Sequence, residues 1–366
     1  MTIKSRTVAI IGAGTIGLTL AWHLHNLGYR VKLIDPQLAN LIQAKSSSFA
    51  ATGILMGCTY KKKKGRSWQL RKRSISLWPQ WCASLQRYSE NLTYRAGILF
   101  LASNKFEENW QRQMLCERTG IHMRQWDRQK LDSLTPEIPK SISSALFSPE
   151  DGQIDPKGML ASIYLQIIDK KIEIIPKRVK KITRLKDLWY LQFECGQSLT
   201  SHWSILCAGS DFSVPSSENS NSFETQRIRG QSLHLQLANT ISNRWEYWPG
   251  SVIWRGNSLV PISNNEYWIG STIEIDNRTK GSTLNSLLNR HHIVPEWLKR
   301  SNIIKHWQGI RSRPMYRLSP ILQLVAPRLI LATAFYRNGI LLAPSTVEWV
   351  LKCVRIVDRR CSYEAG

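Results

Sequence analysis

Residues 7–35, TVAIIGAGTIGLTLAWHLHNLGYRVKLID, decide the fold of this chain. The segment opens with the apolar run Val8–Ile11, which is typical of a parallel strand covered on both faces. It continues through the glycine pattern GAGTIG at residues 12–17 into a stretch with helical periodicity. A second apolar strand, Arg30–Ile34, then ends at the acidic residue Asp35. Strand, glycine turn, helix, strand and acid in this order predict the βαβ unit of a dinucleotide-binding domain.

Each glycine of this turn has a separate role in such a unit. Gly12 allows the tight turn, Gly14 lets the backbone approach a diphosphate, and Gly17 lets the helix pack closely on the strand. Ile16 lies beside them at the helix N-terminus, whose free N–H groups and positive dipole end favour phosphate. Asp35 follows Gly17 by 18 residues, where a carboxylate can accept from ribose hydroxyls. An ordinary glycine-rich turn would leave Asp35 unexplained, but the unit does not distinguish FAD from NAD(P).

Length and composition predict a cytoplasmic globular protein. The 366 residues predict two domains or one elaborated domain, and a hydrophobic content of 42% argues against disorder. The seven cysteines are scattered without a CxxC or a His/Cys cluster, which predicts a reducing compartment, no disulfides and no metal site. The first strand begins by Thr7, which leaves no room for a signal peptide. No apolar run approaches the roughly 18 residues that cross a bilayer.

The net charge of +24 favours anionic partners such as nucleic acid or acidic lipid. The densest basic cluster comprises Lys61–Lys64, Arg66 and Arg71–Arg73. No nucleic-acid motif surrounds the basic residues. Two interpretations stay open: a solvated basic surface without a partner, and a patch that binds a polyanion.

A loop of small residues, SSSFAATGILMG at 46–57, follows the βαβ unit. Small side chains and glycine let a backbone lie closely against a planar or anionic ligand. The stretch resembles the Thr/Ser-Thr/Ser-x-Ala-Ala-x-Gly-Met-Leu segment of the glycine oxidase and D-amino-acid oxidase family of FAD enzymes. In that family the segment follows the ribose-binding acid and lines the flavin. The matching residues are Ser47, Ser48, Ala50, Ala51 and Gly53.

The C-terminal part carries the longest match to this family. Leu331–Pro344, LATAFYRNGILLAP, resembles the family segment Ala-x-Gly-His-Tyr/Phe-Arg-Asn-Gly-Ile-Leu-Leu-Ala-Pro. Trp307–Pro314, WQGIRSRP, resembles Trp-x-Gly-Leu-Arg-Pro. Shorter similarities to Arg-Gly-Gln and Gly-x-Thr-x-Glu occur at 229–231 and 270–274. The resemblance covers nearly the whole chain and is weakest from 100 to 150.

The resemblance implies an α/β fold with two domains. One is a discontinuous Rossmann-type FAD-binding domain, and the other is a substrate-binding domain built on a mixed, largely antiparallel sheet. The first is expected at residues 1–90, 150–215 and 309–366, and the second at 91–149 and 216–308.

Local patterns place the main elements along these domains. They predict helices at 67–88 (with a kink or break at Pro79), 157–169 and about 344–355, and an amphipathic segment at about 105–119. They also predict strands at 94–102, 172–179, 188–194 and 203–207, a turn at 150–156, alternating strands from 230 to 272, and an exposed loop at 215–224.

The resemblance also implies a reaction: oxidation of an amine α to a carboxylate, by hydride transfer to flavin, with O₂ or another electron acceptor reoxidising the flavin. It assigns Arg311 as the clamp for the substrate carboxylate, since a guanidinium is planar and always charged, and Arg337 as its helper or as an anchor of its loop. No cysteine lies near Gly309–Tyr316, where the related sarcosine oxidases that bind their flavin covalently carry theirs, so the resemblance implies noncovalent FAD. The expected cofactor contacts are Gly12, Gly14, Ile16, Gly17, Asp35, Ser47, Ser48, Ala51, Gly53, Val179, Gly209, Arg311, Asn338, Gly339, Ile340 and Leu341.

The substrate side departs from the family pattern. Phe335 replaces a histidine, Ile262 replaces an arginine, Ser258 replaces an aromatic residue, and Tyr316-Arg317 replaces an acidic-glycine turn. These changes leave the identity of the amine open. Two rival functions also stay open: a basic flavoprotein of this fold that acts on RNA, such as a modified tRNA amine, and an NAD(P)-dependent dehydrogenase that shares only the βαβ unit.

Overall fold

The computed structural model describes residues 6–38, 46–89, 92–118, 120–210, 223–237, 248–263, 265–275, 287, 289 and 294–363. In chain order its strands are β1 (Thr7–Ile11), β2 (Arg30–Ile34), β3 (Ile54–Leu55), β4 (Tyr94–Leu101), β5 (Arg124–Trp126), β6 (Ala145–Ile154), β7 (Glu173–Ile175), β8 (Val179–Leu185), β9 (Leu188–Phe193), β10 (Ser198–Ser201), β11 (Trp203–Leu206), β12 (Thr225–Gln236), β13 (Ser251–Trp254), β14 (Asn257–Ser263), β15 (Glu266–Gly270), β16 (Asn302–Pro314), β17 (Ile321–Ala326) and β18 (Leu329–Thr333). Its helices are α1 (Thr15–Asn26), α2 (Arg66–Gln86), α3 (Lys105–Glu117), α4 (Arg128–Asp132), α5 (Pro156–Asp169), α6 (Glu296–Lys299) and α7 (Ala343–Tyr363). None of these helices has the length and apolar character needed to cross a membrane.

The first sheet contains the predicted βαβ unit. Its strand order is β17-β18-β11-β1-β2-β7, and all neighbours are parallel except β17 and β18. The central strand β1 places Ile10 opposite Leu33 of β2 and Ile205 of β11. Because both faces of this strand are covered, its apolar run is continuous rather than alternating. The predicted α/β fold class is confirmed.

Two different layers cover the two faces of the first sheet. Val8 and Ile10 face a core that includes side chains from α1, α2, α5 and α7. Ala9 and Ile11 face the opposite way, towards a small sheet of order β10-β9-β8 whose Trp189 packs against them. The period-two alternation of β1 thus separates two cores.

The second sheet is mixed and largely antiparallel, as predicted. Its order is β16-β12-β15-β14-β13-β4-β6-β3, with β5 paired to β6, and only β13 and β4 run parallel. Leu233 and Leu235 of β12 point into a separate core with Tyr267. Ser232 and His234 alternate with these leucines along β12 and therefore lie on the opposite face of the sheet. Strand β16 pairs with β12 and contributes to the same face.

Strand β6 extends through the turn that the sequence predicts at 150–156. Asp151 in this strand is fully buried and accepts hydrogen bonds from the N–H groups of Gly57 (2.7 Å) and Cys58 (2.8 Å). A Cβ at Gly152 would lie 2.6 Å from the carbonyl oxygen of a residue in β4. The turn prediction was wrong for residues 150–154, because this Asp-Gly pair lies within β6, where Asp151 accepts hydrogen bonds in the interior and Gly152 permits a close strand contact.

Other boundaries differ from prediction in smaller ways. Helix α2 continues through Pro79, and α7 extends beyond residue 355. The predicted domain limits at 149/150 and 308/309 fall inside β6 and β16. The division into two domains stays a prediction. Residues 215–222 of the predicted exposed loop lie outside the described residues.

A buried ionic cluster fastens α7 to the first sheet. The carboxylate of Asp358 accepts hydrogen bonds from the Tyr29 hydroxyl (2.9 Å) and from the Trp203 indole N–H (3.1 Å). It also forms an ion pair with Arg6, just before β1. Removing one partner of a buried ion pair leaves an uncompensated charge, so this cluster depends on Asp358.

We expect Asp358→Ala to lower the Tm by about 5 °C, since leaving Arg6 buried and unpaired costs roughly 3–5 kcal/mol. Tyr29→Phe is the control, because it removes one hydrogen bond and keeps the ion pair; its expected shift is about 1 °C. Differential scanning calorimetry measures both. Equal shifts in the two variants would contradict the assigned role of the ion pair.

Candidate active site

Three strands end together at the carboxyl edge of the first sheet. After β1, Gly12 has a φ of +105°, which favours glycine, and a Cβ there would lie 2.7 Å from the backbone of Cys207 after β11. At the end of β18, the Thr333 hydroxyl donates to the carbonyl oxygen of Gly209 at 2.7 Å. The crevice outside these strand ends is where open α/β sheets bind ligands.

The glycine turn is held tightly from two sides. A Cβ at Gly17 would lie 1.7 Å from the carbonyl oxygen of Gly12, so only glycine permits this contact between helix and turn. The Asp35 carboxylate accepts from the Ala13 N–H at 2.8 Å and from the Gln37 N–H at 2.8 Å. Asp35 therefore fixes the turn as well as lying at the edge of the crevice. Its predicted contact with ribose stays a prediction.

Polar groups at the start of α1 fit a diphosphate. The N–H of Thr15 donates to the Ser48 hydroxyl at 3.0 Å. The hydroxyls of Thr15 and Ser46 are buried without a hydrogen-bond partner in the described part of the chain. Over the same residues, the N–H groups of Gly14 and Ile16 have no acceptor. Phosphate oxygens accept from all of these groups, so the residues present fit the diphosphate of FAD.

The loop at residues 46–53 lies between the two sheets. A Cβ at Gly309 of β16 would lie 2.8 Å from the Ala50 Cβ and 3.3 Å from the Ser47 Cα. A Cβ at Gly53 would lie 1.8 Å from the last carbonyl oxygen of β6. The small residues of this loop therefore allow both ends to approach backbone. As a result, the second sheet reaches the same crevice as the glycine turn.

The turn between β18 and α7 supplies a second set of free donors. The Tyr336 N–H donates to the Ser312 carbonyl oxygen of β16 (3.0 Å), and the Leu342 N–H donates to the Asn338 carbonyl oxygen (2.9 Å). The N–H groups of residues 339–341 have no acceptor among the residues that the structure describes. Together with the positive dipole end of α7, they suit the negative charge of a reduced flavin ring.

Arg71 fastens this turn from α2. Its Nη1 donates to the Asn338 side-chain oxygen at 2.9 Å, and its guanidinium lies 4.1 Å from the centre of the Tyr60 ring. Arg71 is buried, and burial lowers its pKa, so its inclusion in a basic surface cluster was wrong. The sequence carried a signal for this, because Arg71 lies four and seven residues before Ile75 and Trp78, on the buried stripe of the helix.

Arg311 lies on the face of β16 next to the crevice. A Cβ at Gly230 of β12 would lie 2.0 Å from its Nη1, so the guanidinium rests directly on that glycine. Nη1 donates to the Thr272 carbonyl oxygen (3.0 Å) and Nη2 to the Ser271 hydroxyl (2.6 Å). Burial, and then the charge of Arg337, lower the pKa of Arg311 to about 10. No carboxylate of the described residues forms an ion pair with Arg311.

The carboxylate of Glu274 lies near Arg311 but forms its hydrogen bonds with other residues. Glu274 accepts from Arg229 (2.6 Å), from the Gln231 side chain (2.6 Å) and from the Thr272 hydroxyl (2.7 Å). Burial raises its pKa, but these hydrogen bonds together leave the pKa of Glu274 below its usual value. The Arg-Gly-Gln and Gly-x-Thr-x-Glu segments thus form one structural network, which engages Arg229 and leaves Arg311 available.

The remaining predicted residues lie at different distances from this crevice. Arg337 is exposed and lies close enough to Arg311 to affect its pKa. Ala51 packs against the main core. Val179 begins β8, pairs with Phe193 and packs on the opposite face of the first sheet. The substrate-side role of Arg337 and the cofactor contacts of Ala51 and Val179 stay predictions.

We expect Thr15→Val to raise the Kd for FAD about tenfold, because it removes a buried hydroxyl that suits a charged phosphate oxygen. Thr19→Val is the matched control on the same helix, since the Thr19 hydroxyl donates to carbonyl oxygens one turn back. Fluorescence titration of the apoprotein with FAD measures both. Equal loss of affinity in the two variants would remove the diphosphate role of Thr15.

Comparison with known proteins identifies relatives of this arrangement. A family model described as DAO, FAD dependent oxidoreductase, matches residues 7–352. The bifunctional protein ThiO/ThiG of a Nostoc species is 25% identical over 358 residues, which cover 94% of this chain and 52% of that relative; the chain thus spans about half of its length. Crystal structures of glycine oxidase from Bacillus cereus and from Geobacillus kaustophilus superpose with TM-scores of 0.82 and 0.78, both at 20% identity. Each alignment covers 97% of this chain, with 96% and 95% of the respective glycine oxidase.

Proposed function

Because the chain belongs to the DAO family of FAD-dependent oxidoreductases, we propose that it oxidises the C–N bond of a small amino acid or a related amine that carries a carboxylate. The family resemblance seen in the sequence is confirmed, and FAD is the cofactor. A nicotinamide dehydrogenase that shares only the βαβ unit is thereby excluded. The cytoplasmic location and the noncovalent attachment of FAD stay predictions.

The observation that carries this proposal is the environment of Arg311. Its guanidinium is held by two neutral oxygens, from Thr272 and Ser271, and the nearby Glu274 is engaged with Arg229. A partly buried cation that forms no ion pair with the described residues favours an anionic ligand. Its planar fork suits the bidentate binding of a carboxylate.

Bound FAD supplies the hydride acceptor for such an oxidation. The residues of the chain hold and orient the reactants. Arg311 grips the carboxylate and thereby orients the amine-bearing carbon towards the crevice, which is the positional contribution that catalysis requires. The loop at 46–53 contacts Gly309 of β16, and the turn at 334–342 is hydrogen-bonded to Ser312 of the same strand, so both border the crevice beside Arg311. Arg337, next to Arg311, strengthens the positive potential for an incoming carboxylate.

The first experiment identifies the substrate. The purified holoenzyme, whose flavin spectrum reports cofactor content, is screened with glycine, sarcosine and D-amino acids. Peroxide formation reports O₂ as acceptor, and bleaching of a redox dye under nitrogen reports another acceptor. We expect turnover of at least one amine that carries a carboxylate. Turnover confined to amines without a carboxylate would contradict the proposal.

We expect Arg311→Met to lower kcat/KM for this substrate about 100-fold, mainly through KM, since losing one partner of a desolvated charge pair costs roughly 2–5 kcal/mol. Arg313→Met is the matched control two residues along β16, where the guanidinium donates to Gln226. Steady-state kinetics at equal FAD content measures both variants. An unchanged KM in Arg311→Met would contradict the clamp.

A further inference from the structure

A cluster of exposed apolar side chains lies on the turn after β16. Met315, Tyr316 and Leu318 are 53%, 67% and 64% exposed. Only Arg317 interrupts them, and this is the turn where the family pattern has acidic and glycine residues. Single exposed apolar residues are common, whereas several adjacent ones are the kind of feature found at contact surfaces. We call these three residues the apolar tip.

A basic segment lies directly beside the apolar tip. The Ser67 hydroxyl donates to the Ser319 carbonyl oxygen (3.4 Å), and Arg66 donates to the Leu322 carbonyl oxygen (2.8 Å). These bonds hold the start of α2, and the preceding residues 61–65, against the chain that follows the tip. The exposed side chains of Lys61, Lys62 and Lys64 form no ion pair with the described residues, whereas Lys63 pairs with Glu117.

Basic groups predominate on this surface. Helix α2 begins here with no acidic residue in its first turn and no side-chain cap, so its positive dipole end is uncompensated. Arg317 lies close enough to Arg66 to lower its pKa in addition to the effect of burial. The nearby Glu348 is already paired with Arg73. The surface therefore combines an apolar projection with three neighbouring lysines, Lys61, Lys62 and Lys64, that form no ion pair with the described residues.

We propose that this surface docks the protein on an anionic lipid bilayer, with the apolar tip inserted at the interface and the lysines bound to headgroups. Apolar insertion and attraction to acidic lipids act together in peripheral membrane binding, and each basic side chain near the surface contributes. A single-stranded RNA fits less well, because base stacking uses aromatic rings and the tip offers one tyrosine beside two aliphatic side chains. The proposal is independent of the substrate.

The test is co-sedimentation of the holoenzyme with vesicles of phosphatidylcholine alone or mixed equally with phosphatidylglycerol. We expect binding only to the acidic vesicles. The variant Lys61→Gln/Lys62→Gln/Lys64→Gln should bind about 100-fold more weakly, at about fivefold for each lysine. Met315→Ser/Leu318→Ser should also weaken binding at unchanged net charge. Flavin absorbance confirms that each variant is folded.

The matched control removes three charges elsewhere. Lys180, Lys181 and Lys186 are exposed on β8 and its following turn, on the opposite face of the first sheet from α2. Changing all three to Gln should leave most of the vesicle binding intact. The proposal is overturned if the control weakens binding as much as the Lys61 variant, or if the tip variant binds normally. It is also overturned if the protein binds single-stranded RNA and ignores acidic vesicles.

Discussion

The close contact between Gly309 and the loop at residues 46–53 is the constraint on which the site depends. Much of the second sheet has its own core, and Leu55 of β3 and Ile154 of β6 join the core of the first sheet. Because β3 and β16 lie at opposite edges of the second sheet, this packing does not by itself bring β16 to the crevice. A glycine in β16 and small residues in the loop remove the side chains that would hold them apart. The face of β16 that carries Arg311 thereby comes next to the glycine turn. The glycine turn, which suits a diphosphate, and the face of β16 that carries Arg311 therefore border the same crevice.

The free hydrogen-bond donors and the guanidinium that forms no ion pair with the described residues determine which ligands this site can bind. Free N–H groups gather at the starts of α1 and α7, and Arg311 has only neutral oxygens around it. Asp151 and Glu274, the buried acids nearby, already accept several hydrogen bonds each. The crevice thus presents donors and cations, whereas its acids serve the framework. A ligand with a diphosphate, together with a substrate with a carboxylate, matches this imbalance.

The sequence predicted the parts of the fold that depend on local pattern. The βαβ unit follows from an apolar run and fixed glycine spacing, and the mixed sheet follows from alternating residues in β12 and β15. Long-range partners were harder to predict. Asp151 looked like a turn residue and Arg71 looked like part of a basic surface, because their partners, Gly57 and Asn338, lie 94 and 267 residues away. The sequence also could not show that the Thr15 hydroxyl is buried without a hydrogen-bond partner in the described part of the chain, because its surroundings depend on the distant loop that carries Ser48.

Gly230 has a consequence for how this enzyme could be redesigned. A Cβ at this position would lie 2.0 Å from Nη1 of Arg311, so a mutagenesis library that varies residue 230 would displace this guanidinium, and with it the proposed carboxylate clamp, in most of its members. Ser258, by contrast, pairs with Gly270 on neighbouring strands of the same sheet and already departs from the family pattern. A directed-evolution campaign that seeks new amines would therefore keep residues 230 and 309 fixed and vary position 258. Gly230 in β12 thus limits which substitutions are possible next to Arg311, whereas position 258 can be varied.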